Sequence, residues 1–167
     1  MAGKSKGAQD TVEIKAHILI IESRYYAAVA DALLEGAVAE LKASGATYDK
    51  ITVPGALEIP QALAQAVAAG LIPADEAGSR YDGCVVLGCV IRGETSHYDI
   101  VCNNANHWLM DTAIAACVPL GNALLTVDTE AQAMARATGG RKGKGGDAVR
   151  ACLSIVQIAR AFEDVDS

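Results

Sequence analysis

The chain has 167 residues, 51% apolar side chains and a formal net charge of −6 at pH 7. This length and apolar content predict one domain with a buried core and argue against a disordered chain. The negative charge argues against a nucleic-acid binder, because phosphate contacts require a basic face, and no apolar run reaches the roughly 18 residues of a membrane span. We therefore expect a protein without nucleic-acid or membrane partners.

The chain is predicted to consist of a flexible N-terminal arm (1–15), a single domain (16–162) and a short C-terminal tail (163–167). The arm lacks the apolar core of a signal peptide, and we expect residues 12–14 to pair with a neighbouring subunit. The cysteines are odd in number and scattered, without C-x-x-C spacing, which predicts reduced thiols, mostly in the core, and a cytoplasmic protein. They are Cys84, Cys89, Cys102, Cys117 and Cys152.

The first half of the chain alternates short apolar segments with helical periodicity. A strand is predicted over residues 17–21, a turn over 22–24 and a helix over 25–44 that ends at Gly45. A second strand is predicted to end with residues 51–53, and a second helix follows over 57–69.

The second half continues the same alternation. We predict a strand over residues 82–91, a long helix over 97–117, a strand over 123–127 and a helix opened by Asp128 and Thr129. A glycine-rich basic loop over 139–146 then precedes the last helix, 147–161. Strict alternation predicts a parallel sheet with helices on both faces. The long helix is expected to bury a stripe formed by Val101, Ala105, Trp108, Leu109, Thr112, Ala113 and Ala116.

The segment from Val90 to His97 carries the strongest indication of function. It follows an apolar run and therefore lies at the carboxyl end of a strand, where open α/β sheets bind ligands. A turn containing Gly93, Glu94 and Thr95 at a helix N-terminus suits a phosphate, and His97 suits proton transfer. A helix-cap histidine without a role is the alternative. The segment predicts chemistry on a small phosphorylated molecule.

Two other strand ends carry unusual residues. Tyr25 and Tyr26 could stack on a flat heterocycle, or they could form a packing pair at the start of a helix. Glu58 lies between two prolines, either as a solvated first-turn glutamate or as a fixed acceptor for sugar hydroxyls.

The basic loop resembles a phosphate loop only superficially. It fails the Walker pattern, because Thr138 stands where a glycine is required and no Ser or Thr follows Lys144. A solvated loop explains most of its charge, although one or two of Arg136, Lys142 and Lys144 could hold a ligand phosphate. No histidine or cysteine pair has metal-ligand spacing, so no metal is expected.

Taken together, these motifs resemble the lumazine synthase family of riboflavin biosynthesis. The matching segments are Arg24-Tyr25, residues 53–60 (VPGALEIP), residues 88–97 (GCVIRGETSH), residues 125–133 (LTVDTEAQA), Arg136 and Lys144-Gly145. The resemblance extends over about residues 16–162.

The resemblance implies a flavodoxin-like three-layer α/β/α sandwich with a central four-stranded parallel sheet. It also implies an enzyme that condenses 5-amino-6-ribitylaminouracil with 3,4-dihydroxy-2-butanone 4-phosphate to 6,7-dimethyl-8-ribityllumazine, releasing phosphate and water, without a cofactor. Family members form pentamers, in some cases sixty-subunit shells, with sites shared between neighbours. Riboflavin synthase is a further candidate partner.

The resemblance also implies roles for the residues around the organic substrate. Tyr25 would stack on the pyrimidine. Ala56, Leu57 and Glu58 would line the ribityl chain, with Glu58 accepting hydrogen bonds from its hydroxyls. The backbone of residues 89–91 (Cys89, Val90 and Ile91) would contact the uracil edge.

For the phosphate, the family implies Glu94 and Thr95 on one subunit and Arg136 reaching in from the next. His97 would transfer protons. Lys144 would touch the ring carbonyl or the developing charge, with Asp147 orienting nearby groups.

The chain departs from the family at three positions of the implied pocket. Leu57 and Asn122 replace aromatic residues, the second of which comes from the neighbour in many members, and Tyr26 replaces an asparagine. The loop also lacks the Gly-Thr-Lys-x-Gly-Asn pattern of shell-forming members, which favours a free pentamer over a shell. A homologue that binds a flavin or lumazine with weak or no catalysis is the main alternative to the enzyme, and an assembly protein is a third.

Overall fold

The computed structural model describes residues 10–75 and 77–165. Its strands are β1 (His17–Ser23), β2 (Thr47–Val53), β3 (Gly83–Ile91) and β4 (Leu120–Val127). Its α-helices are α1 (Ala27–Ser44), α2 (Glu58–Ala68), α3 (His97–Ala115), α4 (Glu130–Ala137) and α5 (Lys144–Val165), and a short 3-10 helix (Gly140–Lys142) precedes α5. No helix in the described ranges is both long enough and apolar enough to cross a membrane.

The four strands form one sheet in the order β2-β1-β3-β4, and every neighbouring pair is parallel. Apolar side chains from alternate positions of each strand pack into two cores, one beneath α1, α4 and α5 and the other beneath α2 and α3. On β3, Val85 and Leu87 face the first core while Cys84 and Val86 face the second. The predicted flavodoxin-like sandwich with a four-stranded parallel sheet is confirmed.

The strand ends differ from the prediction. β1 continues through Glu22 and Ser23, which were expected in a turn, and α1 begins two residues later than expected, at Ala27. Glu22 can lie in the strand with 0% exposure because its carboxylate accepts hydrogen bonds from Lys50, Thr52 and Arg24. β2 and β4 also begin earlier than predicted, since their first residues pair with β1 and β3.

Two further expectations are wrong. The basic loop is largely ordered into the 3-10 helix and the first turn of α5, which begins at Lys144 instead of residue 147. Trp108 is 53% exposed, because the buried face of α3 is formed by Cys102, Ala105, Leu109 and Ala113. By contrast, the expectation that most cysteines lie in the core is confirmed. All five thiols are free, and Cys117 is the exposed one.

The described part of the N-terminal arm lies against its own chain. The Ile14 amide donates to the Ser44 carbonyl over 3.0 Å, and the Thr11 hydroxyl donates to Glu40 over 2.9 Å. Residues 1–9 lie outside the described part of the chain, and pairing of the arm with a neighbouring subunit stays a prediction.

Glycines set the distance between α5 and the elements beneath it. A Cβ at Gly145 would lie 2.1 Å from the Leu33 carbonyl oxygen of α1, and one at Gly121 of β4 would lie 1.9 Å from the Ala148 carbonyl oxygen of α5. Both distances are far below van der Waals contact, so α5 can approach the sheet and α1 this closely only because side chains are absent. These contacts place the N-terminus of α5 firmly on α1.

We expect Gly145→Ala to lower the free energy of unfolding by about 3 kcal/mol, because the new methyl group must push two backbones apart. Gly93→Ala is the matched control. A Cβ there has no neighbour within 4 Å, so we expect a change below about 1 kcal/mol. Urea unfolding at fixed protein concentration measures both values, since association would otherwise shift the midpoint. Equal stabilities of the two variants would contradict the packing described here.

Candidate functional site

A cavity of about 330 Å³ opens at the carboxyl ends of β1, β2 and β3. It is bounded by the turns that follow these strands and by the first turns of α2 and α3. Its lining residues are Ser23, Tyr25, Tyr26, Gly55, Ala56, Leu57, Glu58, Cys89, Val90, Ile91, Gly93, Thr95, His97, Tyr98 and Val101. Nine of the thirteen residues predicted at the site therefore line one cavity.

The turn between β3 and α3 offers unpaired backbone donors. Residues 92–97 are all exposed. In the described part of the chain, the amides of residues 93–96 make no hydrogen bond, while the His97 amide donates to the Thr95 hydroxyl over 3.3 Å. Free amides and a hydroxyl at the N-terminus of a 19-residue helix form a favourable environment for an anion.

The His97 ring belongs to the cavity wall and is solvent-exposed. It is the first residue of α3, so its side chain projects beside the free amides of the preceding turn. No partner holds the ring within the described residues. It is therefore available to exchange a proton with a ligand that occupies the cavity.

Arg92 ties the turn to its surroundings. Its guanidinium lies 4.2 Å from the centroid of the Tyr98 ring and contacts Asp128 over 3.0 Å and Asp99 over 3.6 Å. These are half-exposed interactions on the cavity rim, so each is individually weak. Together they link the end of β3 to the first turn of α3 and to the turn between β4 and α4.

Tyr25 and Tyr26 form the packing pair that the sequence offered as one interpretation, and stacking of Tyr25 on a heterocycle stays a prediction. Their rings meet edge-on, with centroids 5.0 Å apart and an interplanar angle of 67°. Tyr26 is half-buried against the core beneath α1, and burial raises the pKa of its phenol, with Tyr25 adding to the effect. Tyr25 itself is 75% exposed. The pair thus holds a free aromatic face at the mouth of the cavity.

The turn between β2 and α2 contributes a carboxylate. Glu58 begins α2, where the helix dipole favours a negative charge, and its amide donates to the Gly55 carbonyl over 3.3 Å. A Cβ on Gly55 would lie 3.1 Å from Glu58 Oε2, so the half-buried carboxylate folds back over this glycine. Its free lone pairs can accept hydrogen bonds from hydroxyl groups.

The floor of the cavity is the end of β3. Cys89 is buried, and burial raises the pKa of its thiol to about 11, so the side chain is a neutral, nonpolar group. Val90 and Ile91 are half-buried. This segment presents backbone groups and apolar surface to a ligand rather than a nucleophile.

Four predicted residues do not line the cavity. Glu94 lies in the exposed turn beside it. Asn122 pairs in register with Val86, five residues before Ile91, which places it about 16 Å from the end of the strand. It hydrogen-bonds to Asn106 instead.

Arg136 and Lys144 also lie elsewhere on the chain. Arg136 is exposed in the last turn of α4, where its guanidinium donates to the Gln132 carbonyl over 3.0 Å. Lys144 begins α5, with its ammonium 3.3 Å from Asp147. The lining residues include no lysine or arginine.

Sequence reasoning missed several lining residues. The sequence predicts Ser23 in a turn, although it is the last residue of β1, and no motif marks Tyr98 or Val101 as part of a pocket. Tyr98 is adjacent to His97, and Val101 lies four residues after it on the same face of the helix, so their positions relative to His97 could have identified these two residues. No cluster of three metal-ligating side chains occurs in residues 10–75 and 77–165.

Comparison with known proteins gives the family that the chain resembles. A model of the family described as 6,7-dimethyl-8-ribityllumazine synthase matches residues 15–160. The chain is 54% identical over 145 residues to 6,7-dimethyl-8-ribityllumazine synthase 1 of Rhodopseudomonas palustris, covering 87% of this chain and 86% of the relative. It is 53% identical over 146 residues to the synthase of Agrobacterium fabrum, covering 87% and 96%, and 48% identical over 159 residues to that of Bartonella henselae, covering 93% and 97%.

We expect one thiol per chain, that of Cys117, to react with an alkylating reagent in the folded protein at pH 8. The other four are buried, and burial raises the pKa of Cys89 to about 11 and that of Cys152 to about 12, so few thiolates exist at this pH. Intact-protein mass spectrometry counts the adducts, with Cys117→Ser as the control that should show none. Modification of Cys89 in the folded state would contradict this view of the cavity floor.

Proposed function

The chain belongs to the 6,7-dimethyl-8-ribityllumazine synthase family, and we propose that its active site is shared between two neighbouring copies of the chain. The enzyme is a transferase of riboflavin biosynthesis that condenses 5-amino-6-ribitylaminouracil with 3,4-dihydroxy-2-butanone 4-phosphate. A homologue that only binds a flavin or lumazine is not favoured, because relatives at about 50% identity are named as the synthase.

One observation supports the shared site above the others. The turn between β3 and α3 offers free amides to a phosphate, yet the lining of the cavity includes no lysine or arginine. A phosphate that departs in the reaction needs a counter-charge, because hydrogen bonds alone leave much of the charge uncompensated. Arg136 and Lys144 are exposed away from this cavity and are available to a neighbouring one.

The lining residues can be assigned to the pyrimidine ring and the ribityl chain of the substrate. We assign Tyr25 to the face of the pyrimidine and the backbone of residues 89–91 to its polar edge. Ala56, Leu57 and Glu58 border the ribityl chain, with the Glu58 carboxylate accepting from its hydroxyls. Asn122 would reach the ring from the neighbour and present an amide instead of a second aromatic face.

His97 is the group that we assign to proton transfer. The amine of the pyrimidine adds to the ketone, and water leaves as the imine forms. Loss of a proton then drives the departure of phosphate, and ring closure releases water again. An imidazole beside the phosphate turn can move protons in each of these steps near neutral pH.

The amides of Glu94 and Thr95 would hold the phosphate while Arg136 of the neighbour neutralises it. Lys144 of the neighbour would face the ring carbonyl or the charge that develops on it. The remaining rate enhancement comes from holding two substrates in reach of each other, which can contribute as much as the acid–base step.

We assign this activity to a domain spanning residues 16–162 in a free pentamer in the cytoplasm, with riboflavin synthase as a candidate partner. The missing glycine–asparagine pattern between Thr138 and Gly143 supports the pentamer over a shell. A sixty-subunit particle would have a mass of roughly a megadalton from a chain of 17.2 kDa, which light scattering separates from a pentamer.

We expect His97→Ala to slow lumazine formation by about 10²-fold or more, since one proton-transfer group is lost. Arg136→Ala should slow it by about 10²-fold through loss of the phosphate counter-charge. Product fluorescence measures both against the spontaneous reaction. His107→Ala, which removes another exposed imidazole of the same helix, is the matched control and should retain the wild-type rate. Full activity of His97→Ala would exclude its proposed role.

Mixing the two inactive variants tests the shared site directly. When His97→Ala and Arg136→Ala chains are unfolded, mixed equally and reassembled, a random arrangement gives about one site in four an intact histidine and an intact arginine from different chains. We therefore expect about a quarter of wild-type activity in the mixture. If each site belonged to a single chain, no intact site could form and the mixture would stay as inactive as its components.

A further inference from the structure

We propose that Arg150, anchored on the buried carboxylate of Glu40, is a positioning residue that orients Asp147 and, through it, Lys144. The inference rests on the proposed function, which gives Lys144 its place at the neighbouring site. Neither Arg150 nor Glu40 lines the cavity. Their effect on the reaction would be exerted entirely through the start of α5.

Arg150 is held from several directions at once. Its side chain is 4% exposed and lies in the second turn of α5. One terminal nitrogen contacts Glu40 over 2.9 Å. The other donates to Asp147 Oδ1 over 2.6 Å and to the Arg141 carbonyl over 2.9 Å. A planar guanidinium bonded at both terminal nitrogens has a fixed orientation. The Arg150 N–H group therefore donates its hydrogen bond to Asp147 from one fixed direction.

Glu40 explains why the guanidinium cannot move away. Its carboxylate is 0% exposed on α1 and accepts hydrogen bonds from Thr11 over 2.9 Å and from Arg141 over 2.8 Å in addition to Arg150. Without Arg150 this buried carboxylate would keep only the half-exposed Arg141 as its cation, which is unfavourable, so the Glu40–Arg150 pair stays closed. The Glu40–Arg150 pair therefore joins α1 to α5 at a fixed separation.

Asp147 transmits this order to Lys144. Arg150 occupies Asp147 Oδ1, which leaves Oδ2 to contact the Lys144 ammonium over 3.3 Å. An exposed pair three residues apart on a helix contributes little by itself, because two mobile side chains must be ordered. With Asp147 already oriented, only the lysine has to be ordered, and the entropy cost of the pair falls.

The cluster of charged side chains around Asp147 carries one positive charge in excess, so the charge of Lys144 is not fully neutralised. Two carboxylates, Glu40 and Asp147, face three cations, Arg141, Arg150 and Lys144. Without Arg150, Asp147 would neutralise Lys144 and weaken its attraction for a developing negative charge. The backbone of Lys144 is fixed as well, because the following residue, Gly145, packs on the Leu33 carbonyl. Both the backbone and the side chain of Lys144 are thus held in one conformation.

The test is a double-mutant cycle between this pair and Lys144. Arg150→Met alone would leave the buried Glu40 with only the half-exposed Arg141 as its cation. The pair is therefore removed as Glu40→Gln/Arg150→Met, which keeps the volume and leaves no buried charge unpaired. The double change is made in the wild type and in Lys144→Ala. For each protein, kcat, the KM of each substrate, the thermal midpoint and the oligomer size are measured.

We expect the pair variant to lower kcat by about tenfold, with the KM of the butanone phosphate within about twofold of the wild type, because Lys144 acts on the developing charge and not on the phosphate. In the Lys144→Ala background the same double change should lower kcat by less than about twofold. The fold and oligomer size should be retained in all four proteins.

Equal losses of kcat in the two backgrounds would refute the inference, since a purely structural role is insensitive to Lys144. An unchanged kcat in the assembled pair variant would refute it as well. A wild type without activity above the spontaneous reaction would refute the proposed function and this inference together, which distinguishes that failure from a failure of the inference alone.

Discussion

Parallel pairing of the four strands is the constraint on which the rest of the molecule depends. All carboxyl ends meet at one edge of the sheet, so the turns that follow Ser23, Val53 and Ile91 converge there without any contact between distant loops being needed. In the strand order β2-β1-β3-β4, the connections that leave β1 and β3 run in opposite directions along the sheet. From β1 the chain crosses to one side through α1, and from β3 it crosses to the other side through α3. The cavity lies at this switch point, where the two connections diverge and leave room for a ligand.

Two buried carboxylates organise the segments that leave this sheet. Glu22 and Glu40 both have 0% exposure, and each is compensated by cations from elsewhere in the chain. Around Glu22, Lys50 and Arg24 fix the turn that holds Tyr25 at the cavity. Around Glu40, two arginines fix the start of α5. Burial makes such pairs costly to break even where they contribute little net stability, so their value lies in defining one arrangement.

The parts of the fold that follow local rules could be predicted, and those that depend on distant partners could not. The apolar run of β3 and the turn before His97 are properties of adjacent residues, and both were found where they were expected. Burial of Glu22 requires Lys50, 28 residues away, so the local sequence indicated a turn. The glycines at residues 145–146 also indicated a loop, because the distant segments on which they pack are not visible in the local sequence. Their actual function is to admit the backbones of Leu33 and Arg141 at close range, which no local pattern reveals.

The proposed division of the site between two chains separates the groups that would bind a ligand from those that would catalyse the reaction. The cavity of one chain offers an aromatic face, a carboxylate that can accept hydrogen bonds and a set of backbone donors. Its lining includes no lysine or arginine that could neutralise a departing phosphate. If Arg136 and Lys144 arrive from the neighbour, binding is a property of the subunit and turnover is a property of the assembly. The network behind Lys144 then acts on catalysis without touching the ligand-binding half of the site.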